Sequence, residues 1–266
     1  MNMLHLSRDV PLWLLALVLI SGACVYAIGL MLGTRFHYGV DRLSLNNEVA
    51  GFKFAVVGVF YAVLLAFVVV AVWEDFRQTE ATVRDEAKAA VDLHRITFAL
   101  PAEAGDEIRK HLIAYTKDVH EYEWPTMAVG EPSDVVVKDL DRLTTAIFSV
   151  GPADSQDVAV YHEALRLLSR LTDNRNERLD SASGSVPGIL WIVLIVGGLI
   201  TLGFPAFFAS TNVGAQVLMT ASLAVLVAIA LLLGIVFDYP FTGAVQVSSL
   251  PFKHALREMP SVWPPP

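Results

Sequence analysis

The chain has 266 residues, of which 55% are hydrophobic and 17% charged, and it carries a formal net charge of −8. With a positive mean hydropathy, that composition excludes an ordinary soluble domain. A single cysteine, Cys24, excludes an intramolecular disulfide and any cysteine-built metal site, and no nucleic-acid partner is expected.

Two apolar stretches open the chain, at about 10–32 and 50–73, and two more follow at 186–209 and 213–237. A helix of about 20 apolar residues crosses a hydrocarbon core of about 30 Å, and it satisfies its own backbone hydrogen bonds where no water is available. Lys53 is the lone charge within these stretches. The first could be mistaken for a secretory signal, with Ser21-Gly22-Ala23-Cys24 imitating a lipoprotein cleavage site. Apolar sequence continues to Leu32, longer than a signal core, which favours a retained span.

No glycine or proline separates the second span from Glu74-Asp75-Phe76-Arg77, and good helix formers continue to about Leu100. One unbroken helix of about 45 residues, about 70 Å at 1.5 Å per residue, is therefore expected. Residues 74–185 form a helical insert with 22 acidic and 13 basic residues, a charge of −9, so the rest of the chain sums to +1. Within it, Ile108, Leu112, Tyr115, Val119 and Tyr122 repeat at helical spacing, as do Val136, Leu140, Leu143 and Ile147. A third apolar line runs through Val158, Tyr161, Leu165, Leu168 and Leu179. Breakers at Pro101, Pro125, Gly130, Pro132, Gly151 and Pro152 divide the insert into helices. Ser185 is the expected N-cap of the third span, with Pro187 in its first turn.

The spans end on a tail, 238–266. Gly58, Gly197, Gly198 and Gly203 permit close helix packing in lipid, and Pro205 is expected to kink the third span. Gln216, Thr220 and Ser222 are expected to bond between helices. Lys and Arg near span ends cluster on the side of the insert, whereas the other side carries Arg35 and Arg42 with Lys53 at its border. Since such residues resist translocation, both termini and the insert are expected in the cytoplasm of a bacterial inner-membrane protein. The loop 33–49 and the Ser210-Thr211-Asn212 turn then lie outside.

No phosphate-binding glycine loop, His-Glu-x-x-His or Gly-x-Ser-x-Gly is present. His94, His111, His120 and His162 lack the spacing of a chelating pair and read as packed or solvated side chains. Neither an enzyme nor a cofactor is expected. On the second span, steps of seven from Lys53 reach Phe60, Phe67 and Glu74, with Val57, Leu64 and Ala71 between them. Around a symmetry axis this stripe would give a basic outer ring, an apolar constriction and an acidic inner ring, the elements pores use for selectivity and dewetting. The sequence is equally compatible with Lys53 snorkelling to the interface and the phenylalanines facing lipid or another helix. Tyr61 falls on the adjacent face.

Gly58-Val59-Phe60-Tyr61-Ala62-Val63-Leu64-Leu65-Ala66-Phe67, Trp73-Glu74-Asp75, Glu123-Trp124-Pro125 and the post-span run Asp238-Tyr239-Pro240-Phe241-Thr242-Gly243 resemble the bestrophin-like membrane protein family. The likeness covers about Asn46 to Phe252. It implies an all-α membrane protein with four transmembrane helices and a helical cytoplasmic domain between the second and third. It further implies a homo-oligomeric ion channel, pentameric in bestrophins, in which Phe60, Leu64 and Phe67 form an apolar neck. The acidic calcium-binding run of true bestrophins has no counterpart, because Ala244-Val245-Gln246-Val247-Ser248-Ser249 holds no carboxylate. The expected partners are copies of the chain, the bilayer and inorganic ions, with a slight lean to cations from the acidic insert. Two alternatives stay open: a partner-dependent module resembling proton-driven stator subunits, and a membrane scaffold or sensor acting through its insert.

Overall fold

The structure, a computed structural model, describes residues 11–151 and 155–260. The expected breaker Pro152 and the span-flanking Arg8 lie outside those residues. Every regular element among the described residues is helical. Four helices are long and apolar enough to cross a membrane.

Two compact units are formed. One comprises the described residues up to Asp75, with Ser185–Asp238 and Gly243–Val245, and the other Phe76–Gly184, Tyr239–Thr242 and the residues from Gln246 on. Helix α1 runs Leu12–Tyr38, α2 Val40–Ser44 and α3 Asn47–Ile96. At 50 residues α3 is the long helix expected of a stretch without breakers. The expected loop 33–49 is largely helical instead, since α1 continues six residues past Leu32. That extension is held in place by two of its polar side chains: the Thr34 hydroxyl donates to the Ala206 carbonyl at 2.7 Å, and Arg35 to that of Ser210 at 2.6 Å.

The core of this first unit joins Leu15 and Ala27 of α1, Tyr61, Leu65, Val68 and Val72 of α3, and residues of the two later spans. These later spans are α8, Gly188–Gly203, and α9, Val213–Asp238. Between α3 and them come α4, Ala102–Asp118; α5, Trp124–Met127; α6, Asp134–Phe148; and α7, Ser155–Ser181. Pro205 does not kink α8. It lies in a 3-10 turn, Phe204–Phe207, that ends the span, because its ring and missing donor favour a stop over continuation.

Gly197 and Gly198 do permit close approach. A Cβ on Gly197 would stand 2.9 Å from the Tyr61 ring, and one on Gly198 2.9 Å from the Tyr61 hydroxyl, which donates to the Leu194 carbonyl. Gly203 likewise receives Tyr26 and Leu30, but nothing approaches Gly58. Gln216 bonds between elements as expected, donating to the Phe208 carbonyl and accepting from Arg35, whereas Ser222 bonds only back along its own helix.

The Ser185 cap does not form. The first helical residue follows Pro187, and the backbone N–H groups of Ser185 and Val186 donate at 2.9 and 2.8 Å to one carboxylate oxygen of Asp238. The other oxygen accepts from the Trp191 indole at 3.1 Å. Both amides lie ahead of Gly188, the first residue of α8, so the carboxylate fixes the approach of the chain to the span instead of capping its first turn.

In the second unit, α4 buries Ile108, Leu112 and Tyr115 as predicted. Tyr122 does not continue that line. A π-turn over Val119–Glu123 inserts one residue into the helical register, so Tyr122 turns outward and Glu123 inward. Pro125 then sits inside α5 rather than between helices, at a position where its missing N–H is tolerated. On α7 Ala164, Leu167, Leu168, Leu171, Arg175 and Arg178 are buried; of the expected line Leu168 is buried, and Val158, Tyr161, Leu165 and Leu179 are half-buried. The tail closes with α10, Leu250–Glu258.

Candidate functional site: the free face of the second span

Which way the second span presents its side chains follows from what it buries. Tyr61, Leu65, Val68 and Val72 recur at steps of four, three and four and occupy the core. With that face fixed, Phe60 and Phe67 are left 74% and 72% exposed. Lys53, Ala71 and Glu74 are exposed on the same side, while Val57 and Leu64 are half-buried, nearer to the packed face. Among the described residues Lys53 pairs with no carboxylate and Glu74 with no cation.

Phe52, Val56, Val59, Val63 and Val70 are exposed as well, and stepping by seven from Lys53 did not select them. They lie on the side of α3 opposite Tyr61 and Leu65, and it is the burial of those two residues that singles them out. The free face is therefore a broad apolar strip between one cation and one anion, rather than a single row.

The post-span residues have distinct tasks. Asp238 holds the approach to α8 through the Ser185 and Val186 amides and the Trp191 indole. Pro240 offers its carbonyl to the Val247 N–H at 2.7 Å, and the Phe241 ring meets the Trp124 indole edge-on at 5.4 Å. Gly243 has φ 78°, a left-handed conformation that side chains with a Cβ rarely adopt.

The most polar buried site was not foreseen. Arg178, fully buried, donates to both oxygens of Glu86 at 2.6 and 3.0 Å and to Glu123 at 2.7 Å. Arg175 reaches Glu123 at 2.5 Å, and the Tyr115 hydroxyl donates to Glu86 at 2.7 Å. Trp124 and Phe252 stack near the Arg178 guanidinium. Burial alone would raise the pKa of Glu123, but the charges and hydrogen bonds of Arg178 and Arg175 outweigh it and hold the carboxyl below its ordinary range. Burial and the neighbouring Glu86 push the Tyr115 hydroxyl well up. Two carboxylates facing two guanidiniums leave this core neutral, hydrogen-bonded and without a free nucleophile or base. Among the described residues no group of acidic, histidine or cysteine side chains is placed to hold a metal.

A model of the Bestrophin-like domain matches residues 12–252, and the chain belongs to that family. No functionally curated protein matches it. Solved structures of a bacterial bestrophin homologue from Klebsiella pneumoniae share the fold. A tryptophan-to-alanine variant superposes with TM-score 0.71 at 15% identity, covering 92% of this chain and 96% of that one. A tyrosine-to-alanine variant gives TM-score 0.69 at 14% identity, with 90% and 97% covered. The form phased on zinc gives 0.64 at 17%, again with 90% and 97% covered. With its four apolar helices, the chain is a multi-pass, all-helical membrane protein of bestrophin-like fold.

Proposed function

We propose that the protein is a homo-oligomeric ion channel whose pore is lined by the second span. The observation carrying this reading is the free face of α3, where Phe60 and Phe67 stand exposed between Lys53 and Glu74, neither of them ion-paired among the described residues. In a ring of subunits this face would set a cation ring, an apolar neck and an anion ring along one axis. Val57, Leu64 and Ala71 flank the neck, and the exposed Val56 and Val63 widen its apolar lining. Membership in the family supports the assignment. A pentamer is the assembly it favours.

The Lys and Arg distribution supports a bacterial inner-membrane location with both termini and residues 74–185 in the cytoplasm. A charge of −9 per insert, multiplied by subunit number, favours cations. The proton-driven alternative requires an acidic residue in a partner helix; the spans of this chain contain none before Asp238, whose oxygens accept from the Ser185 and Val186 amides and the Trp191 indole.

Planar-bilayer recording of the purified protein tests the reading. Replacing Phe67 with Ala should raise unitary conductance by wetting the neck, and Glu74→Gln should lower the preference for cations. Silent bilayers, or currents identical in wild type and both variants, would refute it.

A further inference from the structure

The second unit is acidic, yet it contains one recess with the opposite character. A cavity of about 340 Å³ lies between the α3 continuation and α10. Arg84, Lys88 and Arg95 rim it from α3, and His254 and Glu258 from α10. Its floor is made of small apolar residues, Ala87, Val91 and Ala255. Both acids at its edge are already answered, because Arg95 lies 3.7 Å from Asp92 and 3.3 Å from Glu258.

The remaining cations are not. Arg84 has Glu80 only at 4.0 Å, and Lys88 and His254 pair with no carboxylate among the described residues. Arg84 and Lys88 are four residues apart on one helix face, an arrangement of like charges that repels when nothing lies between. Of the 22 acidic residues of the insert only Asp92 lines the recess, and Arg95 lies 3.7 Å from it. Two adjacent cations and an imidazole above a small-residue floor suit a ligand with at least two negative charges and a compact body. A guanidinium fork and an ammonium point charge are the usual donors to phosphate oxygens.

We propose that this recess binds a small phosphate-bearing anion that bridges Lys88 on α3 and His254 on α10. Occupancy would tie the C-terminal helix to the helix that continues the second span. The inference does not depend on ion conduction. The phosphate could belong to a soluble metabolite or to a lipid headgroup, and the experiment separates the two.

Full-length protein in phosphatidylcholine nanodiscs is titrated with inorganic pyrophosphate, and the amide exchange of residues 250–258 is followed. A second set of discs contains phosphatidylglycerol and no pyrophosphate. Slower exchange with pyrophosphate identifies a soluble ligand, and slower exchange only with phosphatidylglycerol identifies a headgroup. In either case Lys88→Glu should weaken binding at least tenfold, Lys88→Arg should largely retain it, and Lys138→Glu, the same charge change at an exposed site outside the recess, should have no effect. No protection from either source, or equal losses for Lys88→Glu and Lys138→Glu, would overturn the proposal.

Discussion

Replacing Arg178 with Met removes the charge that joins two buried glutamates while keeping much of the side-chain volume. Glu123 would still have Arg175 at 2.5 Å, but Glu86 would be left with only the Tyr115 hydroxyl at 2.7 Å. Breaking a buried pair by removing one partner costs about 3–5 kcal/mol, because the surviving charge is neither solvated nor compensated. At about 2–4 °C per kcal/mol for a chain of this size, the melting temperature should fall by about 6–20 °C. Amide exchange in residues 115–127 and 171–182 should accelerate by roughly two to three and a half decades. The double variant Glu86→Gln with Arg178→Met should recover at least about 2 kcal/mol, since the orphaned charge is then gone. A single variant that melts within 2 °C of wild type, or a double variant in which the two losses simply add, would refute the account of this cluster as a mutually dependent unit.

Asp238→Ala should free the Ser185 and Val186 amides, with a cost of about 1–3 kcal/mol seen as faster exchange confined to those residues and the adjoining first turn of α8. Gly198→Val should displace the Tyr61 hydroxyl, which a Cβ would already meet at 2.9 Å, and lower detergent stability more than the same change at Gly58, where nothing lies within 4 Å. His94 is buried with neither ring nitrogen hydrogen-bonded, and burial, helped by Arg109 and Arg95, lowers its pKa to about 4. The unfolded chain therefore takes up this proton first. Stability should fall as pH drops from about 6.5 to about 4, by on the order of 3 kcal/mol, and His94→Leu should remove that component in pH-dependent melting.

How much of this was legible in the sequence depended on whether the signal was local. Span positions and the unbroken α3 follow from hydropathy and the absence of breakers, both properties of contiguous residues. The faces through Ile108 and Val136 were equally readable, because a helix buries what recurs at its own period. Tyr122 escaped that rule because a π-turn is a one-residue register shift that leaves no mark on composition. Arg175 and Arg178 read in the sequence as cations flanking the third span, and their burial shows only when Glu86 and Glu123, remote in sequence, are brought against them. The free face of α3 was half legible: heptad counting found Phe60 and Phe67, but Phe52, Val56 and Val63 emerge only once Tyr61 is known to point into the core.

The Asp238 carboxylate also imposes an order of manufacture. When α8 leaves the ribosome the amides of Ser185 and Val186, just ahead of it, have no partner, and the residue that serves them is 53 positions from Ser185. Any nascent chain that ends after Gly203 but before Asp238 holds a third span whose approach is unlatched. The pair of C-terminal helices thus becomes a closed hairpin only when translation passes the last residue of the fourth, and every truncation before it leaves the hairpin unlatched.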